Sequence, residues 1–396
     1  MDFDPYELSI HEDPYPFFRD LRENHPILYS ESKDFWVIAR YADVRAVLRD
    51  GETFASGQGT VPDGFLPSKP MMIVEDAPYH SHLRSAVSWR FKPRRLRCFE
   101  EFIRKVSGEL LDAIDPTTET DLVQAFCDPL PVAIVTELLG IGFEDRDEFK
   151  AHACRIIHPA GRDHEEVMQA QDWIYAYIER MLPAREQRPG DDLISALMHP
   201  PPGVSKLDRD ELLGFCSMLL IAGPETTTNA FSNSLLVLDR EPELRSALVG
   251  DASGFELAVE ELLRFESPAP GLSRVATRDV ELGGRMLPKG SRVHMLFASA
   301  NRDEAVFPRA DSVDAQRNPN PHLAFGLGVH FCLGSHLARL ELRIGLEEFL
   351  KRFPSYELIP QRWERLQSEV ARGFVKLPCR PTSCASTAQT GLSSAG

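Results

Sequence analysis

Ten consecutive residues, 325–334, read F-G-L-G-V-H-F-C-L-G. Glycines at 326, 328 and 334 permit backbone angles and close approaches that a Cβ would block. The stretch is therefore expected to be a tight, shaped loop centred on Cys332. From Leu333 onward the pattern turns helical, with Leu333, Leu337, Leu340 and Ile344 on one face at 3.6-residue spacing. A cysteine just ahead of a helix N-terminus sits against unpaired backbone N–H groups and the positive end of the helix dipole. Both favour thiolate over thiol, and a thiolate is what binds metal. The alternative is a buried structural cysteine, the commonest fate of an unpaired one. Three glycines, an aromatic and a histidine at fixed offsets weigh against it.

The chain is long enough, at 396 residues, for one large domain or two ordinary ones. A hydrophobic content of 43% with 26% charged residues is that of a globular protein, and 30 prolines imply many loops and short helices. The first nine residues, M-D-F-D-P-Y-E-L-S, lack the basic start and apolar run of a signal peptide. No apolar run approaches the roughly 18 residues of a membrane span, so a cytoplasmic location without a membrane anchor is expected. The seven cysteines are scattered and form no C-x-x-C pair, which indicates neither a disulfide framework nor a zinc site. A net charge of −16 argues against a nucleic-acid partner.

Residues 207–240 form the second landmark. Asp208 or Asp210 can cap a helix with Glu211 in its first turn. Residues 215–222 are apolar on all sides, as in a helix buried at the centre of a large domain. The middle then reads A-G-P-E-T-T-T, residues 222–228. Gly223 and Pro224 weaken a helix, and Glu225 places a carboxylate among apolar neighbours; strain beside a buried charge marks function. Pro224 offers no N–H to the Leu220 carbonyl and crowds it, at about 3 kcal/mol in a regular helix. The bland alternative is two helices separated by a Gly-Pro break.

Smaller signals surround these. His80 and Arg84 lie four apart and share a helix face, with His82 on the other. Residues 84–97 carry Arg84, Arg90, Lys92, Arg94, Arg95 and Arg97 without an acid; such a run is either a solvated face or a docking patch for an acidic partner. Glu261 and Arg264 can meet at i, i+3, as can Glu101 and Arg104. Residues 56–70 are Gly-, Pro- and Ser-rich and read as a long loop. Residues 161–166 are the clearest mid-chain loop, and His152, His158 and His164 have no ligand-like spacing. Strands are expected at 272–277 and in a hairpin at 280–284. Residues 381–396 are small and polar and read as a disordered tail.

The loop at 325–334 resembles the haem-binding loop of the cytochrome P-450 superfamily, F-G-x-G-x-H-x-C-x-G, and fills every fixed position. Ala222, Gly223, Glu225 and Thr226 match the family's A-G-x-[ED]-T, and Glu261 with Arg264 matches its E-x-x-R in the required order. The resemblance covers residues 12–380 and implies a single domain over residues 1–380. That domain is mainly α with a small β-rich subdomain: the triangular-prism P-450 fold, with a long central helix over haem b. It implies Cys332 as the axial thiolate, whose electron push favours O–O cleavage. It further implies Phe325 and Gly326 packed against the macrocycle, and His80, Arg84, Arg274 and His330 at the propionates. Ala222 and Gly223 would leave room for dioxygen, Thr226 would hydrogen-bond it and Glu225 would relay protons. Arg317 is expected to join Glu261 and Arg264 in bracing the cysteine loop. Val313 stands where an aromatic is expected.

The implied activity is insertion of one oxygen atom from dioxygen into a small, largely hydrophobic substrate, by hydroxylation or epoxidation. No flavin or iron–sulfur segment is visible, so electrons are expected from an external ferredoxin and its NAD(P)H reductase. The ferredoxin would dock near Arg84, Arg90, Lys92, Arg94, Arg95 and Arg97. Residues 372–374 resemble the strand turn that re-enters the substrate pocket. Two alternatives stay open: a non-oxygenating or peroxide-using haem-thiolate enzyme, and a haem-binding sensor or carrier.

Overall fold

Asp208 starts the longest helix. Its carboxylate accepts the Glu211 N–H at 2.9 Å while Glu211 Oε2 accepts the Asp208 N–H at 2.7 Å, a reciprocal cap that fixes where the helix begins. In this computed structural model, which describes residues 2–62, 64, 66–142, 145–157 and 164–382, that helix spans Arg209–Arg240 without interruption. The expected weakening at Gly223 and Pro224 does not break it. Leu212, Leu213, Phe215, Leu220, Phe231, Leu235 and Leu236 are all buried along its length. At about 1.5–3 kcal/mol per buried large side chain, they outweigh the cost of one interior proline several-fold. Helices Pro129–Leu139, Arg146–Ile157, His164–Gln187 and Ser335–Arg352 pack around it.

A five-stranded sheet forms the β-rich side, in the order Ile27–Ser30, Phe35–Ile38, Arg292–Leu296, Gly271–Ala276, Phe54–Ala55. Phe35–Ile38 and Arg292–Leu296 run parallel and the other neighbours antiparallel. Strand Gly271–Ala276 carries the buried Arg274 inward. The hairpin of Val280–Leu282 with Arg285–Leu287 turns at Gly283 and Gly284. Two expectations shift. The mid-chain loop proposed for 161–166 falls partly on residues 158–163, which lie outside those described along with His158; residues 164–166 are already the first turn of helix His164–Gln187, whose acidic Glu165 and Glu166 suit a helix start. The C-terminal tail begins later than 381, because strand Pro378–Thr382 pairs with Ser355–Leu358; the rest of that stretch, residues 383–396, lies outside those described. Among the described residues no helix is long and apolar enough to cross a membrane.

Between Ala300 and Gly328 the chain has neither helix nor strand, yet it must deliver the cysteine loop to a fixed place. Glu261, on helix Phe255–Phe265, holds it. Its carboxylate accepts both Arg264 Nε (2.8 Å) and Nη2 (2.7 Å), Arg317 Nε (3.1 Å), Asn320 Nδ2 (3.1 Å) and the Asp314 N–H (2.8 Å). Arg264 in turn donates to the carbonyls of Asn301 (2.8 Å), Ala310 (2.9 Å) and Ser312 (3.1 Å). Arg317 is thus the third member, as the sequence suggested. Glu101–Arg104 is a different matter: Arg104 pairs with Glu347 and Glu348 on the neighbouring helix. A buried ion pair contributes little net energy, but breaking it strands the other charge, at about 3–5 kcal/mol. Glu261→Gln is therefore expected to lower the free energy of unfolding by that order, and the denaturation midpoint with it. A midpoint equal to wild type, measured by chemical denaturation, would contradict this role.

Candidate active site

The cysteine loop turns on two left-handed glycines, Gly326 (φ 65°) and Gly328 (φ 76°). A Cβ on Gly328 would lie 2.5 Å from the Leu48 carbonyl oxygen, so this position needs glycine for space as well as for its angle. Gly334 differs from expectation: its φ is −81° and a Cβ there would meet nothing within 4 Å, so the backbone itself does not demand glycine at that point. The Cys332 N–H donates to the Phe325 carbonyl at 2.9 Å, closing the loop. Helix Ser335–Arg352 follows directly, with Leu337 and Ile344 buried and Leu333 and Leu340 packed against the same core.

Burial pushes the Cys332 thiol up, against the pull of the Gly334 N–H, Arg84, Arg339 and the Ser335 N–H. The helix terminus therefore does not by itself make the thiolate expected from the sequence. Desolvation of an anion in an apolar setting exceeds what dipole ends return. A metal cation bound to the sulfur reverses that balance.

Around Arg84, helix Tyr79–Val87, strand Gly271–Ala276 and the cysteine loop bring nitrogen donors together. His80 is buried and its Nε2 has no hydrogen-bond partner. Its ring centroid lies 4.2 Å from that of His330. Arg274 is buried and, among the described residues, donates only to the neighbouring Ser273 carbonyl, at 2.9 Å. Burial pushes the Arg274 guanidinium down to about 10. Burial, then Arg274, His80 and Arg84, push His330 down to about 3. His330 Nε2 meets Ser56 Oγ at 3.0 Å. Clustered donors that repel one another and lack acceptors fit an anionic guest, since charge-assisted bonds to carboxylates would satisfy them. The two propionates of the haem implied by the resemblance have that chemistry. Asp76 and Ser56 were not singled out from the sequence, although Asp76 opens the stretch containing His80. Asp76 accepts the N–H groups of Ser56 (2.8 Å) and Gly57 (2.8 Å), pinning the 56–70 loop beside the cradle.

On the central helix Ala222 is exposed and Gly223, Glu225 and Thr226 are half-buried, whereas 211–218 and 227–238 are buried. One stretch of the helix, residues 221–226, is therefore less buried than the helix on either side of it. Thr226 Oγ1 donates to the Ala222 carbonyl at 2.9 Å and Thr227 Oγ1 to that of Gly223 at 3.1 Å, so both hydroxyls are held by their own helix. Glu225 and Pro224 line an apolar-walled cavity of about 70 Å³ with Asp128 and Phe149. His82 faces away from His80 and meets Glu211 at 3.2 Å. His152 stacks on Trp173, its ring centroid 4.2 Å away.

Phe325 is fixed by Arg339, whose guanidinium lies 4.4 Å above its ring. Arg339 is held by Glu260 at 2.6 Å, and His322 meets the same carboxylate at 3.0 Å. The basic run emerges on the short helix Pro93–Leu96, which packs against helix Ser335–Arg352. Lys92, Arg94, Arg95 and Arg97 are exposed there, while Arg90 and Arg95 lie over Trp89.

Residues 255–382 match the family model described as Cytochrome P450. "Cytochrome P450 109" of Bacillus spizizenii is 33% identical over 379 residues, covering 93% of this chain and 92% of the relative. "Mycinamicin IV hydroxylase/epoxidase" of Micromonospora griseorubida is 37% identical over 377 residues, covering 91% and 94%. The structure of cytochrome P450 CYP109Q5 from Chondromyces apiculatus superposes with a TM-score of 0.89 at 34% identity, over 97% of this chain and 99% of that one.

The Glu260 support carries a pH signature. Burial works against its charge, but Arg339 and His322 outweigh it and hold the carboxyl at about 2. An unfolded glutamate titrates near about 4.3. A depressed folded value stabilises at pH above the unfolded one, and that contribution fades as pH falls toward about 2. The melting-temperature gap between wild type and Glu260→Gln is expected to shrink between about pH 6 and pH 3. A gap that stays constant over that range contradicts it.

Proposed function

The chain belongs to the cytochrome P450 family of haem-thiolate monooxygenases, and on that footing we propose that Cys332 is its axial iron ligand and Thr226 its oxygen-side proton donor. The observation that carries this reading is the placement of His330: on the glycine-shaped turn, two residues before Cys332, its ring lies 4.2 Å from that of the buried His80. One residue thereby ties a thiol on a glycine-shaped turn to a cradle for carboxylates. When bound, haem iron supplies reductive activation of dioxygen, with one atom going into the substrate and the other leaving as water.

The remaining roles belong to this chain's own side chains. His80, Arg84, Arg274 and His330 bind the propionates, and Phe325, braced by Arg339, packs with Gly326 on the cysteine side. Ala222 and Gly223 give the less buried stretch of the central helix its small-residue wall. Thr226 holds a hydroxyl proton at that wall, and Glu225, one residue before it, passes protons toward it. The substrate is a small, largely hydrophobic molecule, bounded by the 56–72 loop, residues 268–272 and the Gly373 turn. The hydroxylase/epoxidase named for mycinamicin IV supports a hydroxylation or epoxidation chemistry.

Electrons come from an external ferredoxin and its NAD(P)H reductase. Exposed Lys92, Arg94, Arg95 and Arg97 on an otherwise acidic chain offer it a complementary patch. In a reconstituted system with ferredoxin, reductase and NADPH, Thr226→Ala is expected to keep consuming NADPH while product falls by about 100-fold. Unchanged coupling removes Thr226 from proton delivery. Arg94→Glu with Arg95→Glu is expected to slow electron transfer and to flatten its dependence on ionic strength. Wild-type rates at low salt would place the docking face elsewhere.

A further inference from the structure

A second cavity, of about 450 Å³, opens where helix Tyr15–Asn24 meets the ends of the central helix and of helix Phe255–Phe265 and the short strand Glu364–Arg365. None of the residues placed at the haem lines it. Five guanidinium groups do: Arg19, Arg240, Arg302, Arg365 and Arg372.

Two carboxylates of the lining, Glu266 and Asp311, are already engaged, while Glu12 and Asp13 are exposed. Glu266 accepts the Tyr15 hydroxyl at 3.0 Å and Arg372 Nε at 3.2 Å, and faces Arg302 at 3.6 Å. Asp311 takes Arg19 and Arg302. Asp13, on the rim, accepts the Tyr15 N–H at 3.3 Å. Three arginines are thereby neutralised and two are not. Arg365 stacks 4.0 Å over the Phe374 ring and reaches Asn233 Oδ1 at a marginal 3.5 Å, while its Nε is buried with no acceptor among the described residues. Arg240 lies 6.0 Å over the Trp363 ring and forms no ion pair among the described residues. Burial, then Arg372, push the Arg365 guanidinium down to about 10 against the pull of Glu266 and Tyr15, and Arg240 adds to the push. Arg365 thus keeps a buried donor without an acceptor in a cavity that the exposed Arg240 also lines.

The other walls are aromatic. Tyr15, Phe265 and Trp363 line the cavity. Tyr15 and Phe265 sandwich Arg302 at 3.7 and 3.5 Å, which fixes the wall rigidly. A pocket of this size suits a small organic molecule. Paired guanidinium groups prefer planar, bidentate carboxylate partners, and a ring system prefers the aromatic side. We propose that this cavity is a second ligand site, separate from the haem, that binds a small aryl carboxylate through Arg240 and Arg365 with its ring against Trp363.

The test uses the full-length, haem-loaded protein and 3-phenylpropionate as probe, titrated by calorimetry with the Soret band recorded in parallel. Binding at submillimolar concentration without a Soret shift is expected, which separates this site from the haem pocket. Arg365→Gln and Arg240→Gln are each expected to weaken binding about tenfold or more, as is replacing the acid by 3-phenylpropanamide. Arg240 is exposed at a helix end, so its variant stays informative if the Arg365 variant folds poorly. Four results overturn the assignment: no binding, unchanged affinity in a folded variant, binding only together with a Soret shift, or inorganic phosphate binding as tightly as the probe. The last would reveal a nonspecific cationic patch.

Discussion

One buried carboxylate determines where the cysteine arrives. Glu261 collects donors from Arg264, Arg317, Asn320 and the Asp314 backbone, and Arg264 extends the grip to three carbonyls between 301 and 312. The segment from Ala300 to Gly328 has no secondary structure to make it rigid. Its geometry comes instead from these bonds, closed off from water: Arg264 and Glu261 are both fully buried. Such a network contributes less to stability than to uniqueness, because any displaced loop leaves a charge unpaired in the interior.

Downstream of that clamp the site is an arrangement of unlike electrostatic needs. Cys332 sits where burial disfavours an anion, and the cradle of His80, Arg84, Arg274 and His330 where burial disfavours cations. Each half is uncomfortable alone. A cofactor that brings a cationic metal to the sulfur and carboxylates to the cradle relieves both at once, which is why the residues read as a receptor for such a group. The central helix contributes the opposite wall by remaining a helix. Its interior proline is tolerated because apolar burial along the rest of the helix exceeds the lost hydrogen bond.

Much of this was legible in the sequence because local patterns carried it. The left-handed glycines 326 and 328, the cap at Asp208 and the i, i+3 pair at Glu261 each express a short-range rule. What was not legible depends on distant chain segments. No spacing shows that Gly328 abuts Leu48, that Asp76 ties down residues 56 and 57, or that Arg104 finds Glu347 rather than Glu101. The helix runs on through Pro224 as the long central helix the sequence implied, because the surrounding core overrides the local propensity cost. The desolvation around the Cys332 sulfur was not legible either: its helix-terminal position is local, while the surroundings that oppose an anion there come from the whole fold.

The central claim is a bond between the Cys332 sulfur and haem iron. The most direct measurement is the carbon monoxide difference spectrum of the reduced, haem-loaded protein beside its Cys332→Ser variant. The red-shifted Soret band of sulfur ligation is expected in the wild type and absent in the variant. An identical spectrum for both, or a wild-type protein that takes up no haem, would contradict it.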